Sequence, residues 1–308
     1  MLSAPSPRPR PRPRTSAPLS TQLDIVSPCP AQLGEGPLWD PWDQALWWVD
    51  IDRRQLWRKP HGAPAAAHDV GQEVAAALTR SPAGLVLVAR RSIILTDCAL
   101  TIGGVLPVPL PFPETMRLND AGCDPAGRLW FGSMSTDGEL GRGSLYTLHG
   151  DHSVTRALAS VSISNGIGWS PDGRRMYYVD TPTQRVDVFA FDPPTGSLGP
   201  RRTFARIPAS DGRPDGLTVD AQGTVWVALW GGGAVRRFTA SGRPAGQVSL
   251  PTRNVTSCCF GGPGLDELYI TTARRGLCSA ELAGEPTAGS VFVCRPGSVG
   301  LPPHRFTG

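Results

Sequence analysis

The chain repeats one short pattern six times, and this repeat restricts the possible folds more than any other feature. Each copy begins with a turn of the type Asp/Ser-Pro-x-Gly and continues into a strand rich in Trp, Tyr, Val and Leu. The copies are DPWDQALWWVD, SPAGLVLVAR, DPAGRLWFGSM, SPDGRRMYYVD, DAQGTVWVALW and GPGLDELYIT, beginning at Asp40, Ser81, Asp124, Ser170, Asp220 and Gly262. Their starts lie 41 to 50 residues apart, and four-stranded propeller blades recur at about this period.

A further strand follows each copy: RQLWRKP, SIILTD, GSLYTLHG, RVDVFAFD, AVRRFTA and GSVFVCRPG. Several of these alternate apolar and polar residues, as half-buried strands do. Six sheets arranged radially bury each other's faces and leave only short outer edges. We therefore predict an all-β fold, a single six-bladed β-propeller of four-stranded blades over residues 21–308. A strand near Gln22–Ile25 is expected to join the last blade and close the ring.

Residues 1–20 have a different composition from the rest of the chain. They read MLSAPSPRPRPRPRTSAPLS, and alternating Pro and Arg cannot bury apolar surface, which predicts a disordered tail. A basic contact arm is the alternative. The arginines of this tail account for the whole formal net charge of +4. The remainder is near neutrality, so we expect no nucleic-acid partner.

The cysteines indicate the compartment. There are seven, and no pair has the CxxC spacing, which favours reduced thiols in a cytoplasmic protein. A vicinal disulfide between Cys258 and Cys259 is the alternative. No apolar run approaches the roughly 20 residues of a membrane span, and the start lacks the apolar core of a signal peptide. We expect no membrane association.

Counting back from the repeated turn locates equivalent positions in the inner strands. The position five residues before each turn holds Glu35, Ala76, Asn119, Asn165, Asp215 and Ser257. In a propeller this position starts the innermost strand, beside the axial channel. Four of the six side chains carry carboxylate or amide oxygens, and they come from four different blades. Such a set favours a hard divalent cation.

Each of these residues has an ordinary structural explanation when it is taken alone. Asn165-Gly166 and Asp215-Gly216 are common turn pairs, and Asn119-Asp120 could be another. Turn chemistry would not place all of them at one register, which favours the metal site. Two carboxylates this close would repel each other without a cation, so at least one pKa is expected to rise.

Other polar residues are predicted to lie near the same mouth of the channel. Arg117 shares a strand face with Asn119, two residues on, and its guanidinium could hold a substrate oxygen. Two insertions, residues 135–142 and 273–289, connect second and third strands and should overhang this mouth. They contain Asp137 in the first and Arg274 and Arg275 in the second as candidate substrate contacts. An ordinary loop acid is the alternative for Asp137.

Several segments in order resemble the regucalcin (senescence marker protein)/gluconolactonase family. They are GEGPLWD, RLNDAGCDPAGRLWFGSM, ISNGIGWSPDGRRMYYVD, RPDGLTVDAQGTVWVALWGGGAV and TSCCFGGPGLDELYITTAR, starting at Gly34, Arg117, Ile163, Arg213 and Thr256. The resemblance covers essentially the whole chain after the tail. It implies a six-bladed propeller, in agreement with the repeat.

The resemblance also implies roles for individual residues. It implies one divalent metal ion held by Glu35, Asn165 and Asp215, with Asp215 as the catalytic base. It implies sugar-lactone contacts from Arg117 and Asn119. Asp137 stands where animal members carry Glu, which could alter which ring hydroxyls are recognised. The ion varies among calcium, zinc, manganese and iron in such proteins.

The resulting hypothesis is a hydrolase that opens a sugar lactone, such as gluconolactone, arabinolactone or xylonolactone, to the aldonic acid. The alternatives are a calcium-binding regulatory protein without turnover, a paraoxonase-like esterase and a propeller that only binds partners. No His falls at the inner-strand register, which disfavours the esterase and a Ser-His-Asp triad. The oxygen-lined register disfavours a purely interacting propeller. We expect a monomer or a weak dimer.

Overall fold

The structure, a computed structural model, describes residues 22–27, 30–108, 111 and 114–308. Its strands form six antiparallel sheets, and the innermost strands of neighbouring sheets contact each other around a common axis. The predicted all-β, six-bladed propeller is therefore confirmed. The predicted tail, residues 1–20, lies outside the described residues.

The regular elements are mostly short strands. The strands are β1 (Asp24–Ser27), β2 (Gly34–Asp40), β3 (Ala45–Asp50), β4 (Gln55–Pro60), β5 (Ala66–Asp69), β6 (Val74–Thr79), β7 (Leu85–Ala89), β8 (Ser92–Thr96), β9 (Ile102–Pro107), β10 (Met116–Cys123), β11 (Leu129–Ser135), β12 (Gly143–Leu148), β13 (Val154–Val161), β14 (Ser164–Trp169), β15 (Arg175–Asp180), β16 (Arg185–Asp192), β17 (Ser197–Leu198), β18 (Arg202–Arg206), β19 (Arg213–Val219), β20 (Val225–Trp230), β21 (Ala234–Phe238), β22 (Pro244–Ser249), β23 (Val255–Gly261), β24 (Glu267–Thr272) and β25 (Val291–Cys294). The helical elements are α1 (Ser279–Gly284) and the 3-10 turns Thr181–Thr183 and Ala209–Asp211.

Blades one to five follow the chain in order, and the sixth combines both ends of it. Their sheets are β2-β3-β4-β5, β6-β7-β8-β9, β10-β11-β12-β13, β14-β15-β16 with β17 and β18, β19-β20-β21-β22, and β23-β24-β25-β1. The N-terminal strand thus closes the ring as predicted, at residues 24–27. In blade four, the short β17 and β18 both pair with β16, which makes this the one sheet with a fifth strand among the described residues.

The repeated turn and the strand after it are tied together inside the core. In blade three, the Asp124 carboxylate accepts a hydrogen bond of 2.8 Å from Trp130 Nε1. In blade five, the Asp220 carboxylate accepts one of 3.0 Å from Trp226 Nε1. Both tryptophans are fully buried, so the turn acid satisfies an indole N–H that would otherwise be costly to bury. This explains the pairing of Asp at the turn with Trp in the second strand of these two blades.

The last residues of the chain cross the propeller on the face opposite the predicted site. Gly300 bridges to Asp220 in the blade-five turn, and its N–H donates to Leu265 in blade six. Phe306 then bridges to Arg80 in the blade-two turn. Because blades two and five lie opposite each other, the segment between residues 300 and 306 passes over the axis.

Two sequence expectations outside the sheets can be compared with the structure. The six described cysteines are free, including Cys258 and Cys259, so the vicinal disulfide is not formed. In the described part of the chain, no helix has the length and apolar character required to cross a lipid bilayer. The cytoplasmic location and the monomer or weak dimer stay predictions.

We expect Phe306→Ala to destabilise the propeller by about 3–5 kcal/mol, the usual cost of removing a buried aromatic side chain. Phe306 is fully buried in the core between blades two and three. Urea unfolding followed by tryptophan fluorescence measures the effect, with Ile102→Ala, at a residue 60% exposed, as the matched control. Equal stability of the two variants would show that the crossing segment does not hold the blades.

Candidate metal centre and active site

The six register positions found by counting all lie within inner strands. These strands are β2, β6, β10, β14, β19 and β23, and each contacts its neighbours around the axis. All six inner strands carry one extra residue relative to the partner strand at or beside this position. Such a β-bulge re-aims side chains and is often found beside active sites. The counting rule therefore identified a real structural position.

The pairs Asn165-Gly166 and Asp215-Gly216 lie inside strands and are not turns. Their glycines let adjacent blades approach closely. A Cβ atom at Gly166 would lie 2.7 Å from the carbonyl oxygen of Asp215, and one at Gly216 would lie 2.1 Å from Ser257 Oγ. Neither position can hold a larger residue without moving the next blade. The glycines bring the candidate ligands of neighbouring blades together.

Hydrogen bonds between blades hold the backbone in front of each predicted ligand. In each case a side chain on the preceding blade donates to the carbonyl oxygen of the residue just before the ligand. These bonds are Thr256 Oγ1 to Gly34 O (2.6 Å), Asn119 Nδ2 to Ser164 O (2.7 Å) and Thr181 Oγ1 to Pro214 O (2.9 Å). We call these three bonds the interblade belt. The belt connects blade six to one, three to four and four to five.

The two amides of the site are held in defined orientations. Asn165 Oδ1 accepts from Asn119 Nδ2 at 2.9 Å, and Asn165 Nδ2 donates to Thr181 Oγ1 at 2.8 Å. Both N–H groups of the Asn119 amide are used, since Nδ2 also donates to Ser164. Both asparagines are buried. The carbonyl oxygen of Asn119 and the second lone pair of Asn165 Oδ1 are therefore left for a ligand in the channel.

The carboxylates of the site repel each other, as the sequence predicted. Burial and the negative charge of Asp120 raise the pKa of Glu35 to about 8. Burial, Glu35 and Asp120 together raise the pKa of Asp215 well above its ordinary value. The ionised carboxylates are therefore unfavourable without a counter-charge.

Asp120 is a third acid of the site, and the sequence reasoning missed its role. Burial raises its pKa to about 6, and it lines an axial cavity of about 140 Å³ together with Gly36, Thr218 and Cys259. The sequence did contain a feature that distinguishes Asp120. The three predicted metal ligands are each followed by Gly, whereas Asn119 is followed by an acid.

The donor set fits a hard divalent cation. Asp215 Oδ1 is buried and has no hydrogen-bond partner among the described residues, which is costly for a carboxylate oxygen unless a cation binds it. Across the described ranges, no three His, Cys, Asp or Glu side chains converge into a metal site by themselves. A metal site here would also need amide oxygens, and carboxylate and amide oxygens together are typical ligands of calcium, magnesium and manganese.

Arg117 lies beside this donor set, and its guanidinium group forms no ion pair with the described residues. Among them, it donates only to the backbone oxygen of Leu118, at 3.0 Å. Burial and the nearby positive charge of Arg275 lower its pKa. Arg275 itself pairs with Asp52 at 3.2 Å. Arg117 therefore has donor groups that could bind a substrate oxygen, and its contact with substrate stays a prediction.

The two predicted insertions connect second and third strands, at the end of the blades where the inner strands begin. In the first, the Asp137 carboxylate accepts from the Ser135 hydroxyl group and, at 3.2 Å, from the N–H of Glu139. It also lies 3.7 Å from the Arg142 guanidinium. These bonds lower its pKa. Asp137 shapes its own loop, and its contact with substrate stays a prediction.

Comparison with known proteins identifies the family. The sequence profile of the SMP-30/Gluconolactonase/LRE-like region matches residues 33–274. The chain belongs to the SMP-30/gluconolactonase/LRE-like family. Pentonolactonase XacC of Haloferax volcanii is 37% identical over 283 residues, covering 89% of this chain and 94% of that protein. Regucalcin of Danio rerio is 36% identical over 282 residues, covering 90% and 95%.

A solved structure of this family has the same architecture. The calcium-binding protein regucalcin of Agrobacterium tumefaciens superposes with a TM-score of 0.87 at 30% identity, covering 96% of this chain and all of that one. The family membership predicted from the motifs is thereby confirmed. The roles of the individual site residues stay predictions.

The raised pKa of Glu35 predicts how the metal-free protein responds to pH. Its pKa is 4.5 ordinarily and about 8 in the fold, so its contribution to stability is complete below about 4.5 and is lost as the pH rises through 8. We expect the Tm of chelated protein to fall between about pH 4.5 and pH 8, and Glu35→Gln to flatten this fall. Thermal unfolding with Glu114→Gln as a surface control measures this. An unchanged slope in Glu35→Gln would contradict the assigned repulsion.

Proposed function

We propose that this protein hydrolyses a sugar lactone to the open aldonic acid, with one divalent cation held by Glu35, Asn165 and Asp215. The observation that carries the proposal is the buried, unpartnered Asp215 Oδ1, which lies among oxygen donors of neighbouring blades. The family relatives support the substrate class, because one of them is named a pentonolactonase.

Different residues of the chain have different roles in ring opening. Asp215 accepts a proton from the attacking water. The water oxygen then bonds to the lactone carbonyl carbon, the ring C–O bond breaks, and the released ring oxygen takes up the proton held by Asp215 to become a hydroxyl group. Arg117 and Asn119 hold the sugar by its oxygens and orient the carbonyl. When bound, a divalent cation polarises the carbonyl group and makes water more acidic.

A calcium-binding role without turnover is the second candidate, because the Agrobacterium relative is described as a calcium-binding protein. The decisive experiment is a pH-drop assay over pentonolactones, hexonolactones and an aryl ester. The protein is first stripped with a chelator and then supplied with calcium, zinc, manganese or iron(II). Lactone hydrolysis that is lost on chelation and restored by an ion supports the proposal. Ion binding without hydrolysis of any substrate favours the regulatory role, and preferential aryl ester hydrolysis favours an esterase.

We expect Asp215→Asn to lower kcat by about 10²–10⁴-fold, the usual contribution of a general base, while the fold survives. The matched control is Asp172→Asn, an exposed acid in the blade-four turn on the opposite face. Steady-state kinetics and circular dichroism measure both properties. Full activity in Asp215→Asn would remove Asp215 as the base.

We expect Arg117→Met to raise KM for the lactone and to lower kcat/KM by about 10–100-fold, because a charged hydrogen bond contributes about 1.5–3 kcal/mol. Arg174→Met, at an exposed turn residue, tests the general loss of one positive charge. If both variants have wild-type kcat/KM, Arg117 does not touch the substrate.

A further inference from the structure

Thr181 occupies the junction between two predicted metal ligands. Its side chain is buried, with 7% of the residue exposed. Its hydroxyl group accepts from Asn165 Nδ2 at 2.8 Å and donates to the carbonyl oxygen of Pro214 at 2.9 Å. Pro214 directly precedes Asp215. One hydroxyl group therefore joins the side chain of a ligand in blade four to the backbone of a ligand in blade five.

The direction of these bonds determines which end of the Asn165 amide faces the channel. The single hydroxyl proton of Thr181 is used on Pro214, so toward Asn165 the hydroxyl oxygen can only accept. The amide must present its nitrogen to Thr181, which turns its oxygen away from Thr181. Asn119 reinforces this orientation, because its Nδ2 donates to Asn165 Oδ1 at 2.9 Å.

The equivalent position in blade one supports a specific role for the hydroxyl group. There Ile51 follows Asp50 as Thr181 follows Asp180, and both acids bind the backbone entering the inner strand. The N–H of Ile51 donates to Leu33 at 3.0 Å, and that of Thr181 donates to Ile163 at 3.1 Å. Blade one contributes Glu35, whose two oxygens are equivalent, and needs no such orientation. An apolar side chain suffices there.

We propose that Thr181 is a positioning residue: its hydroxyl group holds the Asn165 amide with its oxygen toward the cation and ties it to the Asp215 backbone. This role rests on the proposed cation site. Groups of this kind, which contact a ligand but not the ion, typically change metal affinity by about 10–100-fold when they are removed.

Titration of the chelator-stripped full chain with MnCl₂, and separately with CaCl₂, by isothermal calorimetry tests this role. Thr181→Val keeps the shape but lacks the hydroxyl group, and we expect it to weaken binding by about 10–100-fold. Thr181→Ser keeps the hydroxyl group. We expect its affinity to lie within about threefold of the wild-type value, and so to be clearly higher than that of the valine variant.

Thr183→Val is the matched control, because the Thr183 hydroxyl group lies in the same turn and donates to the Asp180 carbonyl at 2.7 Å, away from the ligands. It should bind both ions as wild type does. Unchanged affinity in Thr181→Val, or an equal loss in Thr183→Val, overturns the positioning role alone. A wild-type protein that binds neither ion overturns the cation site of the proposed function as well.

Discussion

The close approach of the inner strands at the axis is the constraint on which the rest of the structure depends. Gly166 and Gly216 leave space that the backbone and side chains of the next blade fill. The bulges then turn one side chain from each strand toward the channel. Carboxylates forced together in this way lose solvation and repel each other, as the raised pKa of Glu35 records. The proposed cation would offset the same repulsion that destabilises the metal-free site.

The fold could be predicted because its repeat depends on contacts between residues that are close in the sequence. The turn acid and the Trp of the following strand occupy positions 124 and 130 in one blade and 220 and 226 in another, and each pair forms one hydrogen bond. A local bond of this kind leaves a fixed spacing in the sequence. Since the blades are related by rotation, counting back from the turn also located Glu35, Asn165 and Asp215 in the inner strands.

Features that depend on contacts between blades left weaker signals. Asp120 does not occupy the position used for counting. The effect of its charge on the pKa of Glu35 is therefore visible only in the structure. Thr181 lies at the end of a second strand, and its bond to Pro214 joins residues 33 positions apart. The path of residues 300–306 across the opposite face follows no repeat. The self-contained hydrogen bonding of Asp137 likewise depends on the conformation of one loop.

We propose that oxygen donors from three blades bind a single cation on the propeller axis and thereby create the site for lactone opening. A crystal soaked in MnCl₂, measured at a wavelength where manganese scatters anomalously, tests this most directly. We expect one anomalous peak on the axis, about 2.0–2.6 Å from oxygens of Glu35, Asn165 and Asp215, the range for hard cations. An axis without a peak, or a peak bound by other residues, would contradict it.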